Sequence, residues 1–563
     1  MEEQKEEVKI ESFEDDFNVE MTIKNNSINN KKINLTPVKS KNNDNLSNNI
    51  KQKTISFLKN KYNIAFLIIL FLAFLIRLKY IGQESIWVDA AHHLWYSIKL
   101  TRDPSFFFSS EFLTGDYVPI QILTSIIYLL IKNVFIAGKI VAMLFGLIGI
   151  VFMYLLGSEL KNKFTGLISA SLLGFNHLFW FYGVRPLADA PLTSIVILIM
   201  YSVLKLEKTK EIKWGVLTGF LFILSIFIKK QAIIFIFALI IYYLLFKRKE
   251  LFNNRALFIS WLIPVGSIFI ASIFFKTNFL AQVYTMFTKA IGLSQQYSGL
   301  NAANKLPWIF SWYMLIPIIF GVLLVLLYKK KEYYFPLLFS FIYWMFFEVA
   351  IGTPEDRYIL PLLPIGIIFF TFFTEELNLF VKMLLPKKEY VIKSLILLFV
   401  LFICWNFYDL GDSLIYNKSF SYGGHEEAGQ WFKNNVPTNN TVIFMGSPIM
   451  QRVFYEQDFG GPLTPNKEFI KGGNIWFLRA GNYVINQTLF EEDLKKLSQT
   501  NDIYLEIDIW EYTQPKWYYP ITQDSIDYFV SLGFQLVKVI EKEVPTQQGL
   551  QKMSVIFIFK KMK

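Results

Sequence analysis

Long apolar segments alternate with short polar ones along most of the chain. A helix that crosses a bilayer needs roughly 17 to 25 mostly apolar residues, and eleven segments near this length, several at the short end, lie between residues 62 and 409. They are 62–80, 134–157, 164–183, 190–205, 214–228, 231–246, 256–275, 308–328, 333–350, 358–374 and 391–409. The pattern predicts an α-helical polytopic membrane protein with about eleven transmembrane helices.

One further apolar segment, 118–131, has only about 14 residues and fits either within the membrane or beside it. Cytoplasmic membrane loops carry an excess of Lys and Arg. Such clusters occur at 161–163, 205–213, 247–249, 329–331 and 382–388. If 118–131 spanned, the first two clusters would move outside and the alternation would fail in every later loop. We therefore predict a juxtamembrane or re-entrant helix there, a cytoplasmic N-terminus and an extracytoplasmic C-terminus, in a multi-pass plasma-membrane protein.

The two ends of the chain lack the apolar pattern. Residues 1–60 are mainly Lys, Asn, Glu and Ser, which predicts a disordered cytoplasmic tail. Residues 61–409 form the predicted transmembrane module, with 81–133 as its first extracytoplasmic loop and juxtamembrane helices. Residues 410–563 alternate helical and β-rich segments, which predicts a separate extracytoplasmic α/β domain.

Within that domain the elements are short. We predict helices near 425–435, 491–498 and 525–532, and strands at 441–445, 503–507, 534–540 and 554–559. The chain between 445 and 491 shows no regular pattern.

Composition agrees with a chain immersed in lipid. It is 53% hydrophobic and only 18% charged, with a mean hydropathy of +0.36, whereas soluble domains are about 25% charged. The net charge of +11 does not indicate nucleic-acid binding, because the basic residues lie in short clusters between apolar segments. A single Cys, Cys404, excludes an intramolecular disulfide, a Cys-based zinc site and an iron–sulfur cluster.

Polar residues at the outer ends of apolar helices are the candidates for chemistry, because placing them there is costly without a partner. Asp89, His92 and His93 follow the first apolar segment and share one helix face through their i, i+3 and i+4 spacings. They form either a general base with its orienting partners, part of a divalent metal site, or an interfacial helix without chemistry.

A second acid, Asp189, lies in a Pro-rich bend, 185–191, between two apolar segments. It is either the N-cap of the following helix or a catalytic carboxylate paired with Asp89, and the two roles are compatible. With Asp89, His92 and His93 it would complete a metal site.

Two cationic sites lie on the same predicted side. Lys229 and Lys230 suit an anionic lipid headgroup, although they could instead snorkel to the surface or belong to a cytoplasmic hairpin. Arg357 can grip a phosphate through two parallel hydrogen bonds, and Tyr358 follows it; the alternative is an interfacial Arg–Tyr anchor.

Together these residues favour a lipid phosphate as ligand. The chain has no Gly-rich phosphate loop for a nucleotide. The cations would stabilise charge on a departing phosphate, while Asp89 removes a proton from an attacking hydroxyl or amine.

Five elements, in this order, resemble motifs of the C-type membrane glycosyltransferases that use polyprenyl-phosphate sugars, in particular the protein O-mannosyltransferase and aminoarabinose transferase families. They lie at 87–91, 185–191, 229–232, 357–364 and 427–437. The resemblance covers residues 62 to at least 445. It implies that Asp89 is the base, that Lys230 and Arg357 contact the donor phosphate, and that Asp189 binds a metal or orients the acceptor.

Two positions depart from the family pattern. Ala90 occupies the position of a family Glu, so His92 or His93 would have to take over the role of that carboxylate. Tyr117-Val118-Pro119 lacks the basic residue that often holds the donor phosphate in the family.

The sequence thus predicts transfer of a glycosyl group from a polyprenyl-phosphate-linked sugar to an extracytoplasmic protein, lipid or glycan acceptor, with a divalent metal as the one candidate cofactor. The alternatives are a lipid-linked-precursor flippase and a non-catalytic scaffold whose C-terminal domain binds a partner. A flippase predicts charges through the depth of the helices and an inverted repeat, whereas the charges here cluster at the outer ends. The Ala90 substitution is the feature that favours the scaffold.

Overall fold

A computed structural model describes residues 59–83, 85–113, 115–274, 288, 302–351, 355–385, 389–437, 439–445, 448–456, 475–479, 487–510, 523–546 and 549–562. The predicted tail, except residues 59 and 60, and most of the predicted outer loop 276–307 lie outside the described residues.

The described chain is helical up to residue 419. Its helices are α1 (Lys61–Tyr80), α2 (Val88–Arg102), α3 (Ser110–Leu113), α4 (Val118–Ile131), α5 (Val134–Leu160), α6 (Lys163–Phe175), α7 (His177–Tyr182), α8 (Asp189–Thr209), α9 (Ile212–Ile228), α10 (Ile233–Phe246), α11 (Arg248–Leu251), α12 (Arg255–Phe274), α13 (Leu306–Leu327), α14 (Tyr334–Phe346), α15 (Asp356–Ile359), α16 (Leu363–Leu384) and α17 (Glu389–Ser419). Each of the eleven predicted transmembrane segments contains a helix.

Six helical stretches of the described residues are long and apolar enough to cross a membrane. They are Lys61–Tyr80, Val134–Leu160, Asp189–Thr209, Ala302–Leu327, Asp356–Leu384 and Tyr390–Ser419. Five further apolar helices are shorter, and the predicted juxtamembrane helix α4 is one of them. The multi-pass helical membrane fold is confirmed, while the exact number of spans and the orientation of the termini stay predictions.

Close packing of the module relies on small residues where helices approach. Helix α5 packs against α4, α6 and α8, and α13 packs against α16. At the α5–α6 contact, a Cβ on Gly157 would lie 2.9 Å from the Cα of Gly166. Only glycine allows this approach, which is typical of helix packing in lipid.

The described residues of the C-terminal part form a five-stranded mixed sheet with helices on both faces. Its elements are α18 (His425–Asn435), β1 (Thr441–Met445), α19 (Pro448–Tyr455), β2 (Ile475–Arg479), α20 (Gln487–Leu497), β3 (Asp502–Asp508), α21 (Gln523–Ser531), β4 (Phe534–Thr546) and β5 (Gly549–Lys561). The strand order is β2-β1-β3-β5-β4, in which β1 is parallel to β2 and β3, and β5 is antiparallel to β3 and β4.

Side chains alternate between the two faces of the sheet. Tyr504 of β3 packs with Phe432 of α18 and Tyr455 of α19. Leu505, on the other face, packs with Leu494 of α20 and Phe529 of α21. The predicted α/β architecture is therefore confirmed.

The sequence missed α19 and β2, ended β4 too early, at residue 540, and began β5 too late, at residue 554. Within the described part of the chain, strand β2 has five residues and pairs with β1 alone, so tertiary pairing rather than local pattern defines it. The unpredicted parts of β4 and β5 that face each other, 541–546 and 549–553, pair only within this hairpin among the described residues. They are mostly polar, so they lack the alternation that predicts a half-buried strand.

The sheet part contacts the helix that follows the first apolar segment. Glu456, after α19, pairs with Arg102 of α2 at 3.3 Å and accepts a hydrogen bond from Tyr128 of α4 at 3.4 Å. Arg452 of α19 lies 5.5 Å from the ring centre of Trp95. These contacts link the C-terminal part to α2, whose first turn carries Asp89.

Candidate active site

Asp89 lies in the first turn of α2, where the helix dipole favours a carboxylate. Its Oδ2 accepts a hydrogen bond from Nη1 of Arg357 at 2.9 Å. The Asp89 side chain is 50% exposed, whereas that of Arg357 is 9% exposed. Asp89 is therefore anchored on one side and accessible on the other, as a base that meets an acceptor must be.

Arg357 contacts a second acid that the sequence did not single out as functional. Its Nε lies 2.5 Å from Oε2 of Glu355, whose side chain is 56% exposed. One buried guanidinium thus joins two accessible carboxylates.

Asp189 forms a separate, buried pair. Its Oδ1 accepts a hydrogen bond from Nζ of Lys229 at 2.8 Å, and the two side chains are 1% and 10% exposed. The prediction that Asp189 caps α8 is wrong: the helix begins at Asp189 itself, Ala188 occupies the cap position, and the carboxylate faces Lys229.

Tyr358 connects the two ion pairs. Its ring centre lies 4.3 Å from Nζ of Lys229 and 5.2 Å from Cζ of Arg357. Cations over an aromatic face are attracted by the ring quadrupole. The structure thus brings Asp89, Asp189, Lys229, Arg357 and Tyr358 into one cluster.

Lys230 differs from its neighbour. Among the described residues its ammonium group has no carboxylate partner within 4.0 Å, and its side chain is half-buried. Its backbone N–H donates to Oδ1 of Asp116 at 3.2 Å. Lys230 is therefore the lysine of the pair whose charge is available to a ligand.

The loop before α4 completes this side of the site. The N–H of Tyr117 donates to the carbonyl of Ile228 at 3.1 Å, and Tyr117 has a φ of 71°, which is unfavourable for a side-chain-bearing residue. The ring of His93 stacks on Tyr117 with centroids 3.4 Å apart. Burial, aided by His92, lowers the pKa of His93 well below its usual value.

Comparisons with known proteins agree with this layout. The dolichyl-phosphate-mannose-protein mannosyltransferase family matches residues 120–275, while no curated protein matches the chain. The structure is similar to that of ArnT from Cupriavidus metallidurans bound to undecaprenyl phosphate, with a TM-score of 0.54 and 10% identity over 87% of this chain and 97% of that one.

Two structures from Archaeoglobus fulgidus are also similar. An oligosaccharyltransferase in complex with zinc and sulfate gives a TM-score of 0.53 at 12% identity, covering 86% of this chain and 73% of that one. The oligosaccharyltransferase AglB with an inhibitory peptide and a dolichol-phosphate gives 0.50 at 11%, covering 87% and 74%. The chain has the fold of the C-type membrane glycosyltransferases.

The predicted resemblance to these glycosyltransferases is confirmed. Asp189, Lys229 and Lys230 lie within the family match, whereas Asp89 and Arg357 lie outside it. The roles of these residues in the C-type fold remain predictions.

The predicted metal ligands Asp89, His92, His93 and Asp189 do not fit a divalent cation as they stand. Each carboxylate already has a cationic partner. His93 lies against Tyr117, and its Nδ1 is 3.2 Å from Nε2 of Gln121. The described residues do contain one group of three metal-ligand types within 4.8 Å of one another, namely His425, Glu506 and Asp508 in the C-terminal part.

Sequence reasoning missed Asp116, Tyr117 and Glu355. Asp116 and Tyr117 directly precede the apolar segment 118–131, so the rule that identified Asp89 would have found them had that segment been weighted like the others. Glu355 stands two residues before Arg357, but nothing in the sequence indicates which of Glu355 and Asp356 turns toward it. Asp356 instead accepts from Oη of Tyr182 at 2.7 Å and from Nε1 of Trp308 at 3.1 Å.

Proposed function

We propose that the chain transfers a glycosyl group from a polyprenyl-phosphate-linked sugar to an acceptor on the outer face of the membrane. The observation that carries this proposal is the bond between the accessible carboxylate of Asp89 and the buried guanidinium of Arg357, next to the cluster that holds Lys229 and Tyr358. A base and a phosphate-binding cation are thereby held side by side.

In the proposed step the acceptor hydroxyl or amine loses its proton to Asp89 as its oxygen or nitrogen bonds to the anomeric carbon. The bond between that carbon and the phosphate oxygen breaks, and polyprenyl phosphate leaves with the electron pair. Arg357 and Lys230 stabilise the charge that develops on the phosphate.

Asp189 is better suited to positioning than to contact with substrate. Its carboxylate is buried and bound to Lys229, so it fixes the end of α9 against the start of α8. Lys229 in turn lies over Tyr358 and holds that ring beside Arg357.

Transfer in proteoliposomes tests the proposal. The sugar to try first is mannose, because the matching family is described by dolichyl-phosphate-mannose. We expect wild-type protein to release polyprenyl phosphate from a polyprenyl-phosphate-mannose donor, and Asp89→Asn to reduce the rate by about 10²- to 10⁴-fold, the usual contribution of a general base.

Glu111→Gln is the matched control, because Glu111 is an exposed acid near α2 whose contacts are to Lys99 and Tyr96. If Asp89→Asn transfers sugar at the rate of Glu111→Gln, Asp89 is not the base. If wild-type protein releases no polyprenyl phosphate from any of a panel of sugar donors, the transferase proposal is wrong.

A further inference from the structure

A second group of chemically active side chains lies in the C-terminal part, away from the proposed transfer site. His425 is the first residue of α18, and Glu506 and Asp508 are two positions apart on β3. One ligand atom from each lies within 4.8 Å of the other two. Because β3 is the central strand and its side chains alternate, both carboxylates are on the face that packs against α18 and α19.

All three residues are only 1% exposed. Glu506 has no Lys or Arg partner within 4.0 Å among the described residues, and its Oε1 lies 3.9 Å from Nδ1 of His425. A buried carboxylate without a cationic partner is costly. The carboxylate of Glu506 therefore requires either a bound proton or a cation.

Unsatisfied polar atoms in this group supply a second, independent observation. Nε2 of His425 and Oε2 of Glu506 are buried and have no hydrogen-bond partner. Gln451 of α19 donates from Nε2 to Oε1 of Glu506 at 3.0 Å and lies 3.2 Å from Nδ1 of His425, while its own Oε1 has no partner. Oε2 of Glu506 and Oε1 of Gln451 thus retain lone pairs that no described residue uses.

We propose that His425, Glu506 and Asp508 bind a divalent transition-metal ion that fastens the start of α18 to the centre of the sheet. An imidazole with carboxylate oxygens suits Zn²⁺ or Mn²⁺, whereas Ca²⁺ and Mg²⁺ prefer oxygen ligands alone. The ligands are fully enclosed, which is typical of a structural rather than a catalytic site. Binding would draw the ligand atoms closer together, because metal–ligand bonds are about 2.0–2.2 Å long.

The position of the site indicates what the ion would do. His425 follows α17, the last long apolar helix, after a turn in which the carbonyl of Gly423 accepts a hydrogen bond from Nε1 of Trp510 at 3.0 Å. A metal at His425 would add a second tie between this turn and the strand β3. The ion would fix the C-terminal part relative to the end of α17. The proposed metal site does not depend on the proposed transferase activity.

The competing explanation is a proton on the carboxylate pair. Burial and the neighbouring Asp508 raise the pKa of Glu506 to about 8, so in the absence of a cation this carboxyl holds a proton at neutral pH. Burial lowers the pKa of His425 to about 3, which keeps the imidazole in the neutral form that binds metals.

The metal content of the full-length protein distinguishes a bound metal ion from a protonated carboxyl group. The chain is purified in detergent without a polyhistidine tag, treated with EDTA, dialysed against Zn²⁺ or Mn²⁺ and measured by inductively coupled plasma mass spectrometry. We expect about one ion per wild-type chain and a rise in Tm of about 5 °C on adding the metal. His425→Gln and Asp508→Asn should lose both, and Glu492→Gln, an exposed acid on α20, should retain both.

The absorption spectrum of Co²⁺ bound to the wild-type protein tests the site without any variant, so it remains informative if a variant fails to fold. Wild-type protein loaded with Co²⁺ should show ligand-field bands that Zn²⁺ abolishes. Equal metal content in wild type and a folded His425→Gln protein would overturn the proposal. So would wild-type protein that binds neither ion and shows no shift in Tm, since that result leaves the protonated pair as the explanation.

Discussion

Arg357 and Asp89 are 268 positions apart in the sequence, yet Nη1 of one lies 2.9 Å from Oδ2 of the other. The contact joins the start of α15 to the first turn of α2, and Nε of the same guanidinium lies 2.5 Å from Glu355. The guanidinium of Arg357 is buried, whereas the carboxylates of Asp89 and Glu355 are half exposed. The carboxylate oxygens are therefore accessible to a ligand, and the positive charge lies behind them.

The planar guanidinium of Arg357 contacts two carboxylates, so we predict that a positive charge alone at this position is not sufficient for transfer activity. Lysine retains the charge but has no planar fork and cannot contact Asp89 and Glu355 in the same way. We expect Arg357→Lys to lower kcat/KM for transfer by about tenfold and Arg357→Gln by about 10²- to 10³-fold, the loss seen when a group that stabilises transition-state charge is removed. Steady-state transfer kinetics in proteoliposomes measure both.

Arg248→Lys is the control for this pair, because Arg248 is exposed and lies in the short helix α11. Wild-type kinetics in Arg357→Lys would show that the two-carboxylate geometry has no part in transfer.

The buried pair of Asp189 and Lys229 predicts a loss of stability when only one partner is removed. Asp189→Asn leaves an unpaired buried lysine, and breaking such a pair typically costs about 3–5 kcal/mol. We expect a clear fall in Tm for the single variant and partial recovery in Asp189→Asn with Lys229→Met, without recovery of transfer. Thermal unfolding in detergent measures this.

An exposed ion pair gives the matched control. Lys552 and Glu541 lie 2.7 Å apart with side chains 71% and 47% exposed, so Glu541→Gln should change stability by no more than about 1 kcal/mol. A Tm for Asp189→Asn equal to that of Glu541→Gln would contradict a structural role for the buried pair.

Lys230 is predicted to act on ligand binding and not on the fold. Its ammonium has no carboxylate partner among the described residues, so Lys230→Met should leave Tm unchanged. Loss of one charge-assisted contact, about 1.5 kcal/mol, should raise the Kd for polyprenyl phosphate about tenfold. Lys305→Met, on the same predicted side, is the control, and equal Kd values for the two variants would exclude Lys230 from the binding site.

Glu456 is predicted to hold α2 against the C-terminal part. It pairs with Arg102 of α2 at 3.3 Å and with Lys433 of α18 at 3.1 Å, and it accepts a hydrogen bond from Tyr128. We expect Glu456→Gln to accelerate hydrogen exchange in the last turns of α2, with Glu492→Gln showing the wild-type rate. Unchanged hydrogen exchange in Glu456→Gln would mean that Glu456 is not needed to hold α2 against the C-terminal part, because the apolar contacts between α2 and α19 are sufficient for that.

The sequence predicted the helices well because each is defined locally, by the length of an apolar segment. Of the residues that it placed in the candidate site, the structure brings together Asp89, Asp189, Lys229, Arg357 and Tyr358, since polar groups at the ends of apolar helices are costly unless they meet partners. The sequence could not predict which acid forms an ion pair with which cation. Lys229 pairs with Asp189 and Arg357 pairs with Asp89 because of the way in which α2, α8, α9 and α15 pack.

The same limit explains what was missed in the C-terminal part. Strand β2 exists through its pairing with β1, which no local pattern encodes. The pair Glu506 and Asp508 was passed over as part of a strand, although two acids on one face of a strand flanked by Leu and Ile are a readable sign of buried charge.

The most direct test of the transferase account is the cryo-electron microscopy structure of the chain in a nanodisc with polyprenyl phosphate. We predict a phosphate density in hydrogen-bond contact with Arg357 and Lys230, with Asp89 facing the open space beside it. A lipid phosphate bound elsewhere, with no ligand density near Arg357 or Lys230, would contradict the account.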